Sequence, residues 1–240
     1  AVARLEEGDR LKEEFLAVVS HELRSPITSL LGIASTLRRR PALAVSPDGA
    51  ELLDRMVHQG NRLRDMVEQL LRASAVAANR SPVLRAGPVD LADVVGEVVA
   101  DRRAAEPDRP LRVHLPARCR PVRGDAEALR VVVANLVDNA CKYSPPGSPV
   151  TISVEQPAGW TSIAVADRGA GIPPEDRARV FTAFTQLDAS ATRRAGGVGL
   201  GLFLVRRLVE AMGGWARVDG GADGGARFVV ELPGSEPPAA

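Results

Sequence analysis

Four polar residues near the middle of the chain, Asn135, Asn139, Lys142 and Tyr143, are spaced so that they share one face of an α-helix. Because Asn is a mediocre helix former, a pair of Asn side chains on one helix face indicates that their amide groups have a functional role. Amide oxygens bind hard metal ions, and amide and ammonium groups donate to phosphate oxygens. This face is therefore a candidate metal and phosphate site, and a plain solvated helix face is the alternative.

Asp167 follows Ile163 and Val165 at the period-two spacing of a strand, so we expect its carboxylate to be half-buried at the strand's end. A carboxylate in such a place needs a hydrogen-bond donor. Gly169 and Gly171 come next and would let the backbone pass close to a flat ligand, and the exocyclic amine of adenine is a donor of the right kind. Ordinary turn chemistry explains the same residues, and that interpretation stays open.

A run of glycines, Gly196-Gly197-Val198-Gly199-Leu200-Gly201, leads directly into a predicted helix over Leu202–Met212. The free amides and the positive end of that helix would suit an anion. The register excludes the dinucleotide-binding pattern GxGxxG, since Leu204 occupies its last position, and it excludes the P-loop, since no Lys follows. The alternative is a flexible loop with a tight helix start.

His21 lies in another predicted helix, with Glu22 beside it and Ser25 four residues later on the same face. Pro26 removes one backbone amide from that helix and should bend it close to His21. His21 is therefore a candidate functional histidine. The two other histidines have no such neighbours and are interpreted as ordinary surface or core residues: His58 and His114.

Two amphipathic helices occupy the first part of the chain. In Leu11–Leu37 and again in Leu52–Leu70, apolar residues recur at intervals of three and four. The break at Arg39–Val45 predicts a helical hairpin, with Ser46 as N-cap and Pro47 in the first turn of the second helix. A hairpin alone cannot bury one apolar seam per helix well, so we expect it to dimerise into a four-helix bundle. The seams comprise Leu16, Val19, Leu23, Ile27, Leu30, Ala34 and Leu37, and then Leu52, Met56, Gln59, Leu63, Met66 and Leu70.

A linker is predicted over Asn79–Asp90, where Ser81-Pro82 and Gly87-Pro88 interrupt both periodicities. After it, helices and alternating strands are mixed, which favours a layered α/β sandwich. The tail Pro233–Ala240 is expected to be disordered. The expected helices are one capped by Asp90 that includes Leu91–Val98, then Ala126–Tyr143 and Leu200–Met212, and the expected strands are Leu111–Leu115, Val150–Val154, Ile163–Asp167, Trp215–Val218 and Ala226–Leu232.

The composition excludes several classes of protein. The chain has 240 residues, of which 45% are hydrophobic and 25% charged, which suits one or two globular domains. A net charge of +1 and an aromatic content of 3% argue against a nucleic-acid partner. Cys119 and Cys141 lack the spacing of a zinc site and suit a reducing compartment. The sequence has neither a signal peptide nor a membrane-spanning run, so we expect this segment to be soluble and to make no membrane contact.

In the order of its motifs the chain resembles the transmitter core of a sensor histidine kinase of the HisKA class. The resemblance extends over nearly the whole chain, and five boxes in the family's order rarely arise by chance. The matching segments are Phe15–Pro26 for the H box, Asn135–Ser144 for the N box, Asp167–Pro173 for the G1 box, Phe181–Phe184 for the F box and Gly197–Leu202 for the G2 box.

The resemblance implies two domains. Residues 1–78 would form a dimerisation and histidine-phosphotransfer helical hairpin, and residues 91–233 a catalytic ATP-binding domain, an α/β sandwich of the Bergerat type. Residues 79–90 would be the linker and residues 234–240 a disordered tail. The implied partners are a second copy of the chain, in a homodimer, and the receiver domain of a response regulator. The segment would be the cytoplasmic part of a membrane-anchored sensor.

The same resemblance implies a transfer of the γ-phosphoryl group of ATP to His21, from which an aspartate of the regulator later receives it. Glu22 would orient the imidazole and take its proton as general base. Ser25 stands where the family usually has Thr or Asn, at the position that helps to place the water for hydrolysis of the regulator's phospho-aspartate. Its hydroxyl can bind that water but has more rotamer freedom.

The family also implies which residues would hold ATP and Mg²⁺. Asp167 would accept a hydrogen bond from the adenine amine, and Asn139 and Asn135 would bind the metal ion. Val198 and Val131 replace a frequent Thr and a frequent Gln of the family, and neither change removes a required ligand. The other implied binding residues are Lys142 for the phosphates, Tyr143 for the base, Gly169 and Gly171, Arg193 or Arg194 for the γ-phosphate, and the lid residues Gly197, Gly199, Gly201 and Leu202.

Two other functions are kept as hypotheses. A degenerate kinase would bind nucleotide and signal by shape alone, which the retained Asn139, Asp167 and glycines argue against. An ATPase akin to the gyrase, chaperone and mismatch-repair enzymes would use the same type of pocket and would need no helix around His21. Nucleotide binding without turnover would favour the first hypothesis, and ATP hydrolysis without phosphohistidine would favour the second.

Overall fold

The computed structural model of the chain describes residues 23, 26–40, 46–77, 84–157, 159–183, 185, 187, 199–221 and 224–234. The chain divides into two compact units, Ala1–Arg72 and Ala73–Ala240, and the division falls within one long helix. Where the structure describes them, the first unit is built from helices and the second combines helices with β-sheet.

In the described part of the helical unit, residues 26–39 form a helical segment, here α1, and α2 spans Pro47–Ala77. The predicted cap of the second helix is confirmed, because Ser46 Oγ accepts a hydrogen bond from Gly49 N at 3.2 Å and Ser46 O accepts one from Ala50 N at 3.0 Å. The predicted break lies between these helices, although residues 41–45 are outside the part of the chain that the structure describes.

Each helix of this unit has two apolar sides, whereas the periodicity predicts one seam. On α1, Ile33 is buried and Leu30 is half-buried, but Ile27 and Ala34, which belong to the predicted seam, are exposed. On α2 the covered side carries half-buried residues of the predicted seam. The reason is that two adjacent apolar stripes on one helix both show intervals of three and four residues. Spacing alone therefore does not tell which of the two stripes is buried. The exposed large apolar residues are Ile27, Leu31, Leu53, Val57 and Val67.

The α/β unit is a sandwich of helices on a mixed sheet, as predicted. In its five-stranded sheet, only the pair of strands at one edge is parallel. Of its three helices, the second and third in chain order pack on the sheet, and the first packs on the second helix. In chain order the elements are β1 (Gly87–Val89), α3 (Leu91–Ala105), β2 (Leu111–His114), β3 (Val122–Gly124), α4 (Ala126–Tyr143), β4 (Val150–Glu155), β5 (Trp160–Ala166), α5 (Gly201–Ala211), β6 (Trp215–Gly220) and β7 (Ala226–Pro233).

The strand order of the large sheet is β2-β4-β5-β7-β6, and β2 and β4 are its parallel pair. The core lies between this sheet and α3, α4 and α5, and it is built from alternating residues of the strands and from one side of each helix. Two short 3₁₀ turns, Pro174–Asp176 and Arg179–Phe181, follow β5, and the buried Phe181 ring meets Phe228 edge-on with centroids 6.4 Å apart.

Two predictions about the ends of the α/β unit are wrong. The predicted linker over 79–90 contains β1, which pairs antiparallel with β3 in a separate two-stranded sheet. The predicted tail from Pro233 begins too early, because Pro233 ends β7 and Gly234 N donates to Gly159 O at 2.8 Å. In both places pairing with a distant segment orders residues whose local sequence is typical of loops. Residues 235–240 lie outside the described residues.

Neither cysteine forms a disulfide, and burial raises the pKa of both thiols, which is typical of cysteines that act as small packing residues. No helix among the described residues is both long enough and apolar enough to cross a membrane.

Candidate functional site

Asp167 is a buried acidic residue of the predicted site. It follows the last residue of β5, and it is only 5% exposed, which is more burial than the predicted half. Its Oδ1 accepts hydrogen bonds from Gly169 N at 2.7 Å and from Ala226 N at 3.2 Å. Burial raises the pKa of the Asp167 carboxyl above its usual value, and the two backbone hydrogen bonds act in the opposite direction. With both of these bonds on Oδ1, the carboxylate can offer Oδ2 to another donor.

Glycine is required around Asp167 because three backbone segments approach closely there. A Cβ at Gly169 would lie 2.4 Å from Tyr143 O, and a Cβ at Gly225 would lie 2.0 Å from Asp167 O. Gly171 has a φ of +71°, and its Cβ would lie 2.4 Å from Gly224 O. The loop after β5 therefore lies between the end of α4 and the start of β7. The motif analysis missed Gly225, whose signal is the second glycine-rich run that precedes β7.

Helix α4 carries the predicted polar face. Asp125 caps its start by accepting from Ala128 N at 2.9 Å, and that hydrogen bond is the main cause that lowers the pKa of Asp125. The same helix carries Asn135 and Asn139, both half-buried. Asn135 Nδ2 donates to Val131 O at 2.8 Å, so its oxygen is free to face away from the helix backbone.

The end of α4 carries the two other predicted residues. Lys142 Nζ lies 4.8 Å from the centroid of the Tyr143 ring, a cation–π distance, and the Tyr143 side chain is exposed. Tyr143 O is the carbonyl that Gly169 approaches. The structure therefore places Lys142 and Tyr143 next to the loop that follows Asp167, which sequence spacing alone could not do.

The start of α5 meets the polar face of α4. Gly201 is the first residue of α5, and a Cβ there would lie 2.7 Å from Asn135 Oδ1 and 3.9 Å from Asn139 Nδ2. Gly199 has a φ of +70°, which favours glycine, and Leu200 ends the loop as a buried residue without a side-chain cap for the helix. The first turn of α5 contains no acidic residue, so its amides are compatible with an anion. Leu202 follows on α5 and is half-buried.

A buried arginine that the sequence analysis missed supports this region. Arg109 is 8% exposed and donates to Cys141 O and Pro145 O, each at 2.9 Å, at the carboxyl end of α4. Its Nε donates to Glu106 Oε2 at 3.0 Å. Nothing in the local sequence distinguishes Arg109 from other arginines, since its partners at the end of α4 lie more than thirty positions later in the chain.

The remaining predicted site residues cannot be placed. His21, Glu22 and Ser25 of the helical unit, and Arg193, Arg194 and Gly197 of the glycine-rich segment, lie outside the described residues and stay predictions. Within the α/β unit, the structure brings Gly201 to Asn135 and Asn139, and it brings Tyr143, beside Lys142, to Gly169 and Asp167. Gly171 lies in the loop after Asp167, and Gly199 and Leu202 flank the start of α5.

Two family models match the chain. The model of the His Kinase A (phospho-acceptor) domain matches residues 11–78. The model of the histidine kinase-, DNA gyrase B- and HSP90-like ATPase matches residues 124–236, which include every site residue of the α/β unit.

Several proteins of known type are similar over most of the chain. The sensor-like histidine kinase SenX3 of Mycobacterium tuberculosis is 37% identical over 96% of this chain and 55% of its own length. The chain spans about a third to a little over half of the length of the first curated relatives that it matches. Among solved structures, the Acinetobacter baumannii histidine kinase AdeS is 27% identical with a TM-score of 0.68, covering 90% of this chain and 98% of that one. Full-length ShkA in complex with AMPPNP is 29% identical with a TM-score of 0.67, covering 94% and 47%.

Proposed function

The chain belongs to the sensor histidine kinases of the HisKA class, and on that premise we propose that it transfers the γ-phosphoryl group of ATP to His21 and then to an aspartate of a response regulator. The observation that carries the proposal is the contact between Gly201 and the two Asn side chains of α4, which joins the glycine-rich helix start to the polar face. We therefore expect the chain to act in the cytoplasm, where ATP and a response regulator are both present.

The adenine base would be bound by Asp167. Its carboxylate is buried and uses Oδ1 for two backbone amides, so Oδ2 can accept from the exocyclic amine of adenine. Gly169 and Gly171 would let the loop after Asp167 pack closely against Tyr143 O and Gly224 O, which would hold the carboxylate in place for the base. Tyr143, exposed at the end of α4, would lie against the base. The AMPPNP in the ShkA complex supports an adenine nucleotide as ligand of this fold.

The polar face of α4 fits a Mg²⁺ ion that is bound together with the phosphates. Asn135 and Asn139 offer amide oxygens, which are hard ligands, and Asn135 already uses its Nδ2 on Val131 O. The described residues contain no cluster of three or more His, Cys, Asp or Glu side chains that could hold a metal by itself. Amides and phosphate oxygens would therefore share the coordination. When bound, Mg²⁺ would neutralise phosphate charge and orient the transferred group.

Phosphoryl transfer would need little more than alignment and charge neutralisation from this site. Lys142 would contact the phosphates, Arg193 or Arg194 would meet the charge of the γ-phosphate, and the backbone of Gly197 and Gly199 would cover the phosphates. A bond would form between a ring nitrogen of His21 and the γ-phosphorus, and the bond from that phosphorus to the bridging oxygen of ADP would break.

The proton of His21 would pass to a neighbouring carboxylate. Glu22 would accept it from the second ring nitrogen, which leaves the first with its lone pair for attack. The resulting phosphohistidine would then give its phosphoryl group to a carboxylate oxygen of the regulator's aspartate. Ser25 would place a water for hydrolysis of that phospho-aspartate, and faster hydrolysis with Ser25→Thr than with the wild-type chain would support this role.

Homodimerisation is the second part of the proposal. The helical unit exposes a row of large apolar side chains on both helices, with Leu31 66% exposed and Val57 64% exposed. Exposed apolar residues at helical spacing on two helices favour a four-helix bundle that is completed by a second copy. The row consists of Ile27, Leu31, Leu53, Val57 and Val67.

The experiment is labelling of the whole chain with ATP that carries a radioactive γ-phosphate, in the presence of Mg²⁺. We expect label that survives alkali, is lost in acid and is absent in His21→Gln. His114→Gln serves as the matched control, because His114 is an exposed histidine at the end of β2, and it should label like the wild type. ATP hydrolysis without label would favour an ATPase, and binding without turnover would favour a degenerate kinase.

A further inference from the structure

We infer that Arg109 is a positioning residue for the nucleotide site, which it serves by fixing the carboxyl end of α4. This inference rests on the proposed binding of ATP. Arg109 lies in the segment between α3 and β2, and its side chain bonds to the ends of α3 and α4 and to no predicted ligand residue among those that the structure describes.

The guanidinium of Arg109 binds the last turn of α4 and the loop that follows it. Its Nη2 donates to Cys141 O at 2.9 Å, and its Nη1 donates to Pro145 O at 2.9 Å. Nη1 also donates to Ser144 Oγ at 3.2 Å and to Ser148 O at 3.3 Å. These acceptors include carbonyls that a helix end leaves without an intrahelical partner.

Charge favours an arginine in this place. The carboxyl end of a helix carries a partial negative charge, which a cation stabilises. Glu106 balances the buried charge of Arg109 from the end of α3, and it also accepts from Arg102, which in turn donates to Asp138 Oδ1 at 3.0 Å. Without the guanidinium, Cys141 O at the end of α4 would lose this donor in a buried place, whereas Glu106 would keep Arg102.

The turn that Arg109 holds is the one that carries site residues. Lys142 and Tyr143 directly follow Cys141 in the chain. The carbonyl of Tyr143 packs against Gly169, so closely that a Cβ there would lie 2.4 Å away, and Gly169 N bonds Asp167. A shift of the end of α4 would therefore move Lys142, Tyr143 and the loop after Asp167 together.

The test compares nucleotide affinity with the rate of phosphoryl transfer in the full chain. We expect Arg109→Met to raise the Kd for ADP with Mg²⁺ about tenfold or more, because misplacement by a fraction of an ångström weakens several contacts at once. The labelling rate of His21 at saturating ATP should stay within about threefold of wild type, because Arg109 is not expected to touch the reacting atoms. Arg109→Lys keeps the charge but cannot reach all of the acceptors, so its Kd should be intermediate.

Arg112→Met is the matched control, because Arg112 is an exposed arginine on β2, and its Kd should equal that of the wild type. A variant of Arg109 that melts at lower temperature but binds ADP with the wild-type Kd would show a merely structural role and would overturn the inference. A wild-type chain that binds no nucleotide would contradict the proposed function and the inference together, whereas wild-type binding with an unchanged Kd in both Arg109 variants would contradict the inference alone.

Discussion

Gly201 at the start of α5 lies directly against Asn135 on α4, with room for no side chain between them: a Cβ on Gly201 would be 2.7 Å from Asn135 Oδ1. Two motifs that are far apart in the sequence are therefore one surface in the fold. The start of α5 and the side-chain amide groups of Asn135 and Asn139 are therefore neighbours, as the proposed metal–phosphate site would require.

Gly201→Ala should impair nucleotide binding. The added methyl group must push Asn135 or α5 away, so we expect the Kd for ADP with Mg²⁺ to rise about tenfold. Titration calorimetry measures this change. Gly96→Ala is the control, because Gly96 lies in the middle of α3 with nothing within 4 Å of a Cβ. It should bind ADP normally and gain about 1 kcal/mol of stability. Wild-type affinity in Gly201→Ala would refute the close approach.

Asp167→Asn should weaken binding of adenine nucleotides. The Asn oxygen can still accept from Gly169 N and Ala226 N, which leaves its NH₂ group, a donor, facing the donor amine of adenine. We expect a loss of about 2 kcal/mol, or about thirtyfold in Kd, as for a hydrogen bond to a charged group. The exposed Asp93→Asn on α3 is the control. Equal affinity of the two variants would remove Asp167 from the site.

The same substitution should make the chain more stable at neutral pH. Burial raises the pKa of Asp167, so the folded state binds this proton more tightly than the unfolded state does. The stability that protonated Asp167 contributes is therefore present below its unfolded pKa of about 3.9 and is lost as pH rises through the higher folded pKa. Thermal melts of both chains should show the Asn variant gaining over the wild type as pH rises. A gain that instead grows as pH falls would contradict this sign.

Charges on the exposed apolar row should dissociate the dimer. Leu31→Glu combined with Val57→Glu places like charges in the proposed interface, where they would be buried without partners. We expect sedimentation equilibrium at micromolar concentration to show a dimer for the wild type and a monomer for this variant. Arg55→Glu, a change at an exposed polar position of α2, should leave the dimer intact. A monomeric wild-type chain would rule out the four-helix bundle.

The elements that carry strong local signals could be predicted from sequence. Helix α4 has the predicted bounds Ala126–Tyr143, because its apolar periodicity is regular and Pro145 follows its end. The Ser46 cap and the polar face of α4 were likewise readable, because both depend on residues a few positions apart. The resemblance to the family's motifs then assigned Asp167 to the same site.

The features that were missed depend on contacts between distant segments. Strands β1 and β3 have three residues each, and only their pairing identifies them as strands. The proposed role of Arg109 depends on carbonyls at and just after the carboxyl end of α4, which no local sequence pattern indicates. Gly225 is required because Asp167 O would lie 2.0 Å from its Cβ, a relation that exists only after β5 and β7 have paired.

The central claim is that the α/β unit phosphorylates His21, and peptide mapping tests it most directly. The full chain is incubated with labelled ATP and Mg²⁺, digested at alkaline pH and analysed by mass spectrometry, alongside Asp167→Asn. We expect the phosphoryl group on the peptide that contains His21 in the wild type, and a strong reduction in the Asn variant at low ATP concentration. A phosphoryl group on any other residue, or none under conditions in which the chain binds ATP, would contradict the account.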